Sequence, residues 1–358
     1  MSAADATTRH LKRARTSPEE GTSSLHDPPS TLSHANLEHH PEFWFDDGNI
    51  ILIARHSGFR IFRGLLAAQS TVFSDMFAAA SSQADETLDG CPFVHLTDSP
   101  IDLVHLLRIL LPTSPLCYPT SNSEDTRSFD EVSSVIRLAH KYHIQSVQDR
   151  AIRALQEYPF TNDFLHISTT PLKQKISIHG AQYIGAVNLA RLTDTPIILP
   201  YALYQCSLLG GALLDGWKRE DGTTEQLCTA DIKRCFDGRV AIGQEQSYLI
   251  HLLFAPIPPG KCMPPGADDC AKCVEGIACN AVNISRLNKP VFFDWAPSIQ
   301  ALQAVCGKCK EVLLERNRVE RQRIWDSLPE MFGVPEMFGV DVEGWANADG
   351  AGAAAGAA

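Results

Sequence analysis

The sequence predicts an α+β fold in which a short sheet comes first and helices fill most of the remaining chain. Two observations carry that prediction. Ile50-Ile51-Leu52-Ile53 is a continuous apolar run, as in a strand buried on both faces, and Phe59-Arg60-Ile61-Phe62-Arg63 alternates apolar and basic residues with the period of a second strand. Beyond Arg63 the apolar residues recur mostly at helical spacing.

Bulk properties set limits on function. The chain has 358 residues, enough for roughly two domains at about 150 residues each. With 44% hydrophobic and 20% charged residues it has the makings of a sizeable core. A net charge of -11 leaves no large basic face for neutralising phosphates, so nucleic acid is not an expected partner. Apolar stretches such as Ile197 to Leu199 and Tyr201 to Leu203 are broken by Pro200 and by polar residues, short of the roughly 20 residues of a membrane span, so no membrane association is expected. Ser2-Ala3-Ala4-Asp5 opens the chain without the apolar core of a secretory signal, which predicts an intracellular protein of the nucleus or cytoplasm whose 11 cysteines are reduced.

Residues 1–40 are rich in Ser, Thr, Pro, His and charge, and are expected to be a disordered tail. Lys12-Arg13-Ala14-Arg15 within it reads as a solvated basic cluster before it reads as an import signal. Order is expected from Phe43-Trp44-Phe45, with Asp47-Gly48-Asn49 turning the chain into the first strand and His56-Ser57-Gly58 joining it to the second as a hairpin. Gly64 to Ala80 has helical spacing, and Ser70 or Ser74 could cap a break into two short helices. Phe93-Val94-His95-Leu96 is a further strand; Ser99 and Pro100 then stand at the N-cap and first position of a helix ending at Leu111. Phe129 to Tyr142 and Ile144 to Tyr158 read as two amphipathic helices.

The order of these elements and several strings in them resemble the BTB/POZ domain. The strings are Asp47-Gly48-Asn49-Ile50-Ile51-Leu52, Phe59 to Leu66, Ser70 to Phe77, Val94 to Ser99, and Leu138-Ala139-His140-Lys141-Tyr142-His143-Ile144. The similarity extends to a group of fungal BTB proteins with a helical C-terminal half, through Leu189 to Pro196, Leu199 to Tyr204 and Cys306 to Val334. The resemblance implies a BTB/POZ-like domain at 41–158 with a short mixed sheet and surrounding helices, a helical C-terminal domain at 159–334, and protein binding with homodimerisation in place of catalysis. Residues 335–358, which nearly repeat Met331 to Val334 at Met337 to Val340 and then dissolve into Ala and Gly, are expected to be a flexible tail.

Family dimers pack the first helix pair and the segment before the first strand, which here offers Phe43, Trp44, Phe45, Leu65 and Val72, with Leu66 and Phe73 expected in the core. Asn49 and Arg63 occupy a pocket used by some transcriptional members. Asn49 stands where the family has Asp, and Phe62 where it often has His, so the pocket loses charge. Met76-Phe77-Ala78 lacks the Glu that members engaging cullin scaffolds often have. A cullin adaptor and a nuclear transcriptional regulator are the alternative readings.

Cys270-x-x-Cys273 and Cys306-x-x-Cys309 could surround one tetrahedral zinc and clamp the Pro-rich loop from Pro256 to Cys279 onto a helix starting near Ser298; their 32-residue separation and the helical spacing of Cys306 and Cys309 fit simple packing as well. No other cofactor is expected. Cys91, Cys117, Cys206, Cys228 and Cys235 read as small buried apolar residues. His140 and His143 share a helical face without a third ligand, and the arginines at 316, 318, 321 and 323 read as a solvated face laced with Glu315 and Glu320. The strings G-x-S-x-G, G-x-x-x-x-G-K-S/T, H-E-x-x-H and G-x-G-x-x-G are absent from the sequence, and no catalytic residue is nominated.

Overall fold

The apolar run at Ile50 makes the central strand of a five-stranded mixed sheet because both of its faces and both of its edges are covered. The computed structural model describes residues 37–82, 87–111, 126–157, 160, 164, 176–257, 262, 270–277 and 290–334. The first strands are β1 (Glu38–Trp44), β2 (Ile50–Ala54) and β3 (Ser57–Ile61), followed by β4 (Thr87–Leu88) and β5 (Cys91–Leu96). Their order is β1-β3-β2-β5-β4. The expected hairpin forms, with Ile50 opposite Ile61 and Leu52 opposite Phe59 in antiparallel register. On its other edge β2 runs parallel to β5, and all five of its residues are buried.

Two boundaries differ from expectation. β1 opens at Glu38, inside the stretch expected to be a tail, and pairs in parallel with β3. The alternation predicted to extend β3 to Arg63 ends at Ile61, because Arg63 already begins a helix. The rest of residues 1–40, the basic cluster at Lys12 to Arg15, and the tail at 335–358 lie outside the described residues.

Helix α1 (Arg63–Ala67) and helix α2 (Thr71–Ser82) are separated by Ser70, as the cap pattern predicts. The Ser70 hydroxyl accepts from the Phe73 backbone N–H at 3.0 Å and donates to the Tyr142 carbonyl at 2.6 Å. Tyr142 in turn stacks on Phe73 with ring centroids 4.1 Å apart and donates its hydroxyl to Asp98. One serine therefore ends one helix, starts another and ties both to the far side of the core. Helix α3 (Pro100–Leu110) has Ser99 and Pro100 where expected, but the buried Ser99 hydroxyl makes no cap hydrogen bond. Helices α4 (Phe129–Lys141) and α5 (Gln145–Glu157) complete the N-terminal half. His143 lies beyond the end of α4 with a left-handed φ of 53°, so it and His140 do not share a helical face.

The C-terminal half is built on α6 (Gln182–Leu192), α7 (Leu199–Leu208), the long α8 (Thr229–Leu253) and α9 (Gly307–Asp326). It is not wholly helical. Ile176–Ser177 pairs in parallel with Arg127–Ser128, and Trp217–Lys218 pairs with Thr224–Glu225 as a small hairpin. Buried apolar side chains from Phe43 to Val334 form one contiguous cluster that includes both halves. Among the described residues no helix is long and apolar enough to cross a membrane.

The small hairpin adds a polar junction to the apolar contact between the halves. Trp217 lies flat on Gly185 of α6, where a Cβ would come within 2.2 Å of the ring, and its ring centroid is 5.3 Å from that of Phe129. Two residues on, Arg219 donates to both carboxylate oxygens of Asp102 on α3, at 2.8 and 2.9 Å. The Ser134 hydroxyl donates to the same carboxylate at 2.6 Å. Asp130 of α4 accepts from the Glu220 backbone N–H and from Gln182, each at 3.0 Å, and Arg137 donates to Glu225 at 2.5 Å. The Arg219 and Asp102 side chains retain only 10% and 11% of their exposure. Removing one partner strands a buried charge, whereas removing both need not. Arg219→Met is expected to cost about 3–5 kcal/mol in urea unfolding of the full chain. Arg219→Met with Asp102→Leu should recover most of that loss; a single variant as stable as the parent would show that the pair does not hold the halves.

Candidate functional site

Four thiols converge at the start of α9. The Sγ atoms of Cys262, Cys270, Cys306 and Cys309 all lie within 4.8 Å of one another. Cys262 and Cys306 are 3.9 Å apart, far beyond a disulfide bond and close to the spacing of two ligands on one ion. Cys270 and Cys309 are buried, and Cys262 and Cys306 are half-buried.

The local chain explains why these four meet. Cys306 is the N-cap of α9, with an extended backbone at φ -67° and ψ 160°, so its side chain turns back beside the first helical turn and reaches Cys309. Its own N–H donates to Cys270 Sγ at 3.3 Å, a bond that orients that sulfur. Positions 270 and 273 have the same sequence spacing, but Cys270 is already inside a helical segment, 270–277, rather than capping it. Cys273 is not among the four, which corrects the expected ligand set; Cys262 takes its place. The expected helix near Ser298 is also broken into Ala296–Gln300 and α9, with Cys306 in the break. Burial first, then hydrogen bonding to Cys306 and Cys262, pushes the Cys309 thiol well above its ordinary range. The donor set is all sulfur, which suits a soft divalent cation.

The other cysteines divide. Cys91, Cys206 and Cys235 are buried as expected, whereas Cys228 is exposed at the N-cap of α8; Cys117 and Cys279 lie outside the described residues.

The expected interface residues also divide. Phe43 is 1% exposed within the single chain and belongs to its own core, with Leu66 and Phe73, so it has no surface to offer a partner. Trp44, Phe45, Leu65 and Val72 are half-buried, and the last three have one side against the core. Trp44 stacks on His39 with ring centroids 3.4 Å apart, and Phe45 stacks on Phe62 at 5.3 Å, just before α1.

Asn49 and Arg63 meet through the main chain. The Asn49 Oδ1 accepts from the Arg63 backbone N–H at 2.9 Å, so the side chain supplies from a neighbouring loop the N-terminal hydrogen bond that Phe62, the N-cap of α1, cannot make. This role needs an oxygen acceptor and not a charge, so Asn serves where Asp would.

Sequence reasoning missed two features of the arginine row on α9. Arg321 is buried, paired with Asp294 at 3.0 Å, hydrogen-bonded to the Phe292 carbonyl at 3.0 Å, and stacked over Phe164. Arg316 donates to the Ala255 carbonyl at 2.6 Å and so satisfies the C-terminal end of α8. Arg318 with Glu315 alone fits the solvated pattern fully, since both are exposed; Arg323 bridges to Glu320 and, at 2.5 Å, to Glu245 of α8.

Asn49→Ala is expected to lower stability by about 0.5–2 kcal/mol, the usual value of a lost helix N-terminal acceptor, while Asn49→Asp holds or raises it. Denaturant midpoints of the two variants check this; equal losses would assign Asn49 some other role.

Compared with models of known protein families and with curated proteins, the sequence matches none.

Proposed function

We propose that the chain is a non-catalytic protein-interaction module that pairs with a second copy of itself through its BTB/POZ-like N-terminal half, and whose C-terminal half is stapled by a structural zinc ion. The observation that carries the self-association is the set of half-buried apolar side chains around the entry to α1. Trp44, Phe45, Leu65 and Val72 each present an uncovered side next to well-packed neighbours, and rigid aromatic anchors of this kind dominate interface energetics. The same patch on two molecules would meet across a two-fold axis.

The zinc reading rests on the sulfur geometry. Tetrahedral Zn–S bonds of about 2.3 Å place ligand sulfurs roughly 3.8 Å apart. The observed 3.9 Å between Cys262 and Cys306 meets that, and the 4.8 Å limit on all four needs only small side-chain shifts. Bound there, zinc would join the 262–277 segment to the N-terminus of α9, where the thiolates also gain from the helix dipole. Its role would be to hold the fold, because four protein ligands leave no open position for substrate.

Two measurements test this. In sedimentation equilibrium the parent chain is expected at twice the monomer mass, and Trp44→Glu with Leu65→Glu at the monomer mass with unchanged circular dichroism. A parent that stays monomeric at every concentration ends the self-association reading. Metal analysis of purified protein should find one zinc per chain, lost in Cys262→Ser and kept in Cys273→Ser; the reverse pattern, or no zinc, ends the zinc reading.

A further inference from the structure

The four thiols of the cluster are not equivalent. Cys309 and Cys270 are 0% and 4% exposed, whereas Cys262 and Cys306 each keep part of their surface open to solvent. These two open cysteines are also the pair whose sulfurs lie 3.9 Å apart. The two buried sulfurs are held in place as well. Cys270 Sγ accepts from the Cys306 N–H at 3.3 Å and donates to the Ala304 carbonyl at 3.8 Å, and Cys309 is packed on the buried face of α9.

We infer that Cys262 and Cys306 are an oxidation site: a hydroperoxide joins them in a disulfide, and the site gives up its zinc ion as the bond forms. The pairing rests on the sulfur geometry alone, and the release of metal rests on the zinc reading above. A thiolate of the pair attacks an oxygen of hydrogen peroxide, so that an S–O bond forms, the O–O bond breaks and hydroxide leaves. The second sulfur then attacks the sulfenic sulfur, forming the S–S bond and expelling the other oxygen as hydroxide. Two electrons pass from the sulfurs to the peroxide, and both hydroxides take up a proton to become water.

The two sulfurs have only to close from 3.9 Å to the roughly 2.0 Å of a disulfide. Once joined, neither is a thiolate, and a structural zinc site needs four donors. Cys270 and Cys309 are left as the only donors, and each takes up a proton as the ion is released. The disulfide keeps Cys262 fastened to the start of α9, so a dithiol reductant regenerates four thiols that are still side by side and the site reloads. Oxidation is therefore reversible.

The test treats the purified full chain, as isolated, with hydrogen peroxide. Zinc release is read with a chromogenic chelator, and linkages are mapped by mass spectrometry after alkylation and cleavage at Lys308 and before Asp268 or Asp269, which separates the four cysteines. Expected are one zinc released per chain, one linkage joining Cys262 to Cys306, Cys270 and Cys309 recovered as thiols, and reloading with zinc after dithiol reduction. A linkage to Cys270 or Cys309, oxidation that stops short of any linkage, or a linkage that leaves the zinc bound overturns the inference while the zinc reading stands. A chain isolated without zinc ends the zinc reading, and its own linkage map then decides the pairing: Cys262 to Cys306 upholds it and any other result overturns it.

Discussion

Arg219 brings a full positive charge to a place where a tenth of its side chain meets water, and it can do so only because Asp102, Ser134, Asp221 and Glu225 surround it. Satisfying that one guanidinium constrains much of the molecule. Asp102 must present its carboxylate from the buried face of α3, where both Arg219 and Ser134 of α4 reach it. Ser134 must point its hydroxyl at the carboxylate. The hairpin that carries Arg219 must lie against α4, and with it Trp217 is pressed onto Gly185. Buried ion pairs are poor sources of net stability compared with apolar packing of the same shape, but they tolerate few alternative arrangements. Here that property fixes the position of the C-terminal half against the sheet-bearing half, where apolar contact alone would allow sliding.

The same device recurs with other arginines. Arg191 of α6 reaches the buried Asp231 near the start of α8 at 2.5 Å, and Arg239 of α8 donates to the Ser207 carbonyl of α7 at 2.7 Å. Arg316 and Arg321 join α9 to the end of α8 and to the 292–295 turn. A planar fork with five donors can satisfy carbonyls and carboxylates together, whereas lysine offers a single point charge. In a chain of net charge -11 these arginines are engaged in internal contacts.

How much was legible in the sequence depended on the range of the contacts involved. The β2 and β3 hairpin, the break at Ser70 and the amphipathic α4 and α5 were readable because apolar period, turn residues and caps are local. β1 was not: Glu38-His39-His40 has no strand period, and only its pairing with β3, held in part by His40 stacking on Phe59 at 5.0 Å, makes it a strand. Arg321 was misread for the same reason, since its partners Asp294 and Phe292 lie almost thirty residues away and equal spacing of Arg and Glu on a helix looks solvated from the sequence. At the thiol cluster the pair spacing of Cys306 and Cys309 was informative and that of Cys270 and Cys273 misleading. Identical spacings differ in meaning according to whether the first cysteine caps its helix or lies within it, and the isolated Cys262 carried no spacing signal at all.

Helix α9 shows how the local and the long-range contacts combine. Its first turn is bound by the sulfur cluster, its middle by Asn317 and Arg321 sharing the Asp294 carboxylate at 2.8 and 3.0 Å, and its end by Trp325, which is fully buried among Phe164, Tyr201 and Phe292. The buried face of α9 mixes Cys309, Leu313, Ile324 and Trp325 with the polar Asn317 and Arg321, so its docking is not purely apolar. Three separated points of attachment compensate for that, and each uses a different chemistry: soft ligands, a shared carboxylate, and aromatic packing. A change at one point leaves the other two to hold the helix in register. Perturbing the cysteines should therefore loosen residues 270–277 and the first turn of α9 while the aromatic end stays in place, a graded response set by the separation of the attachment points.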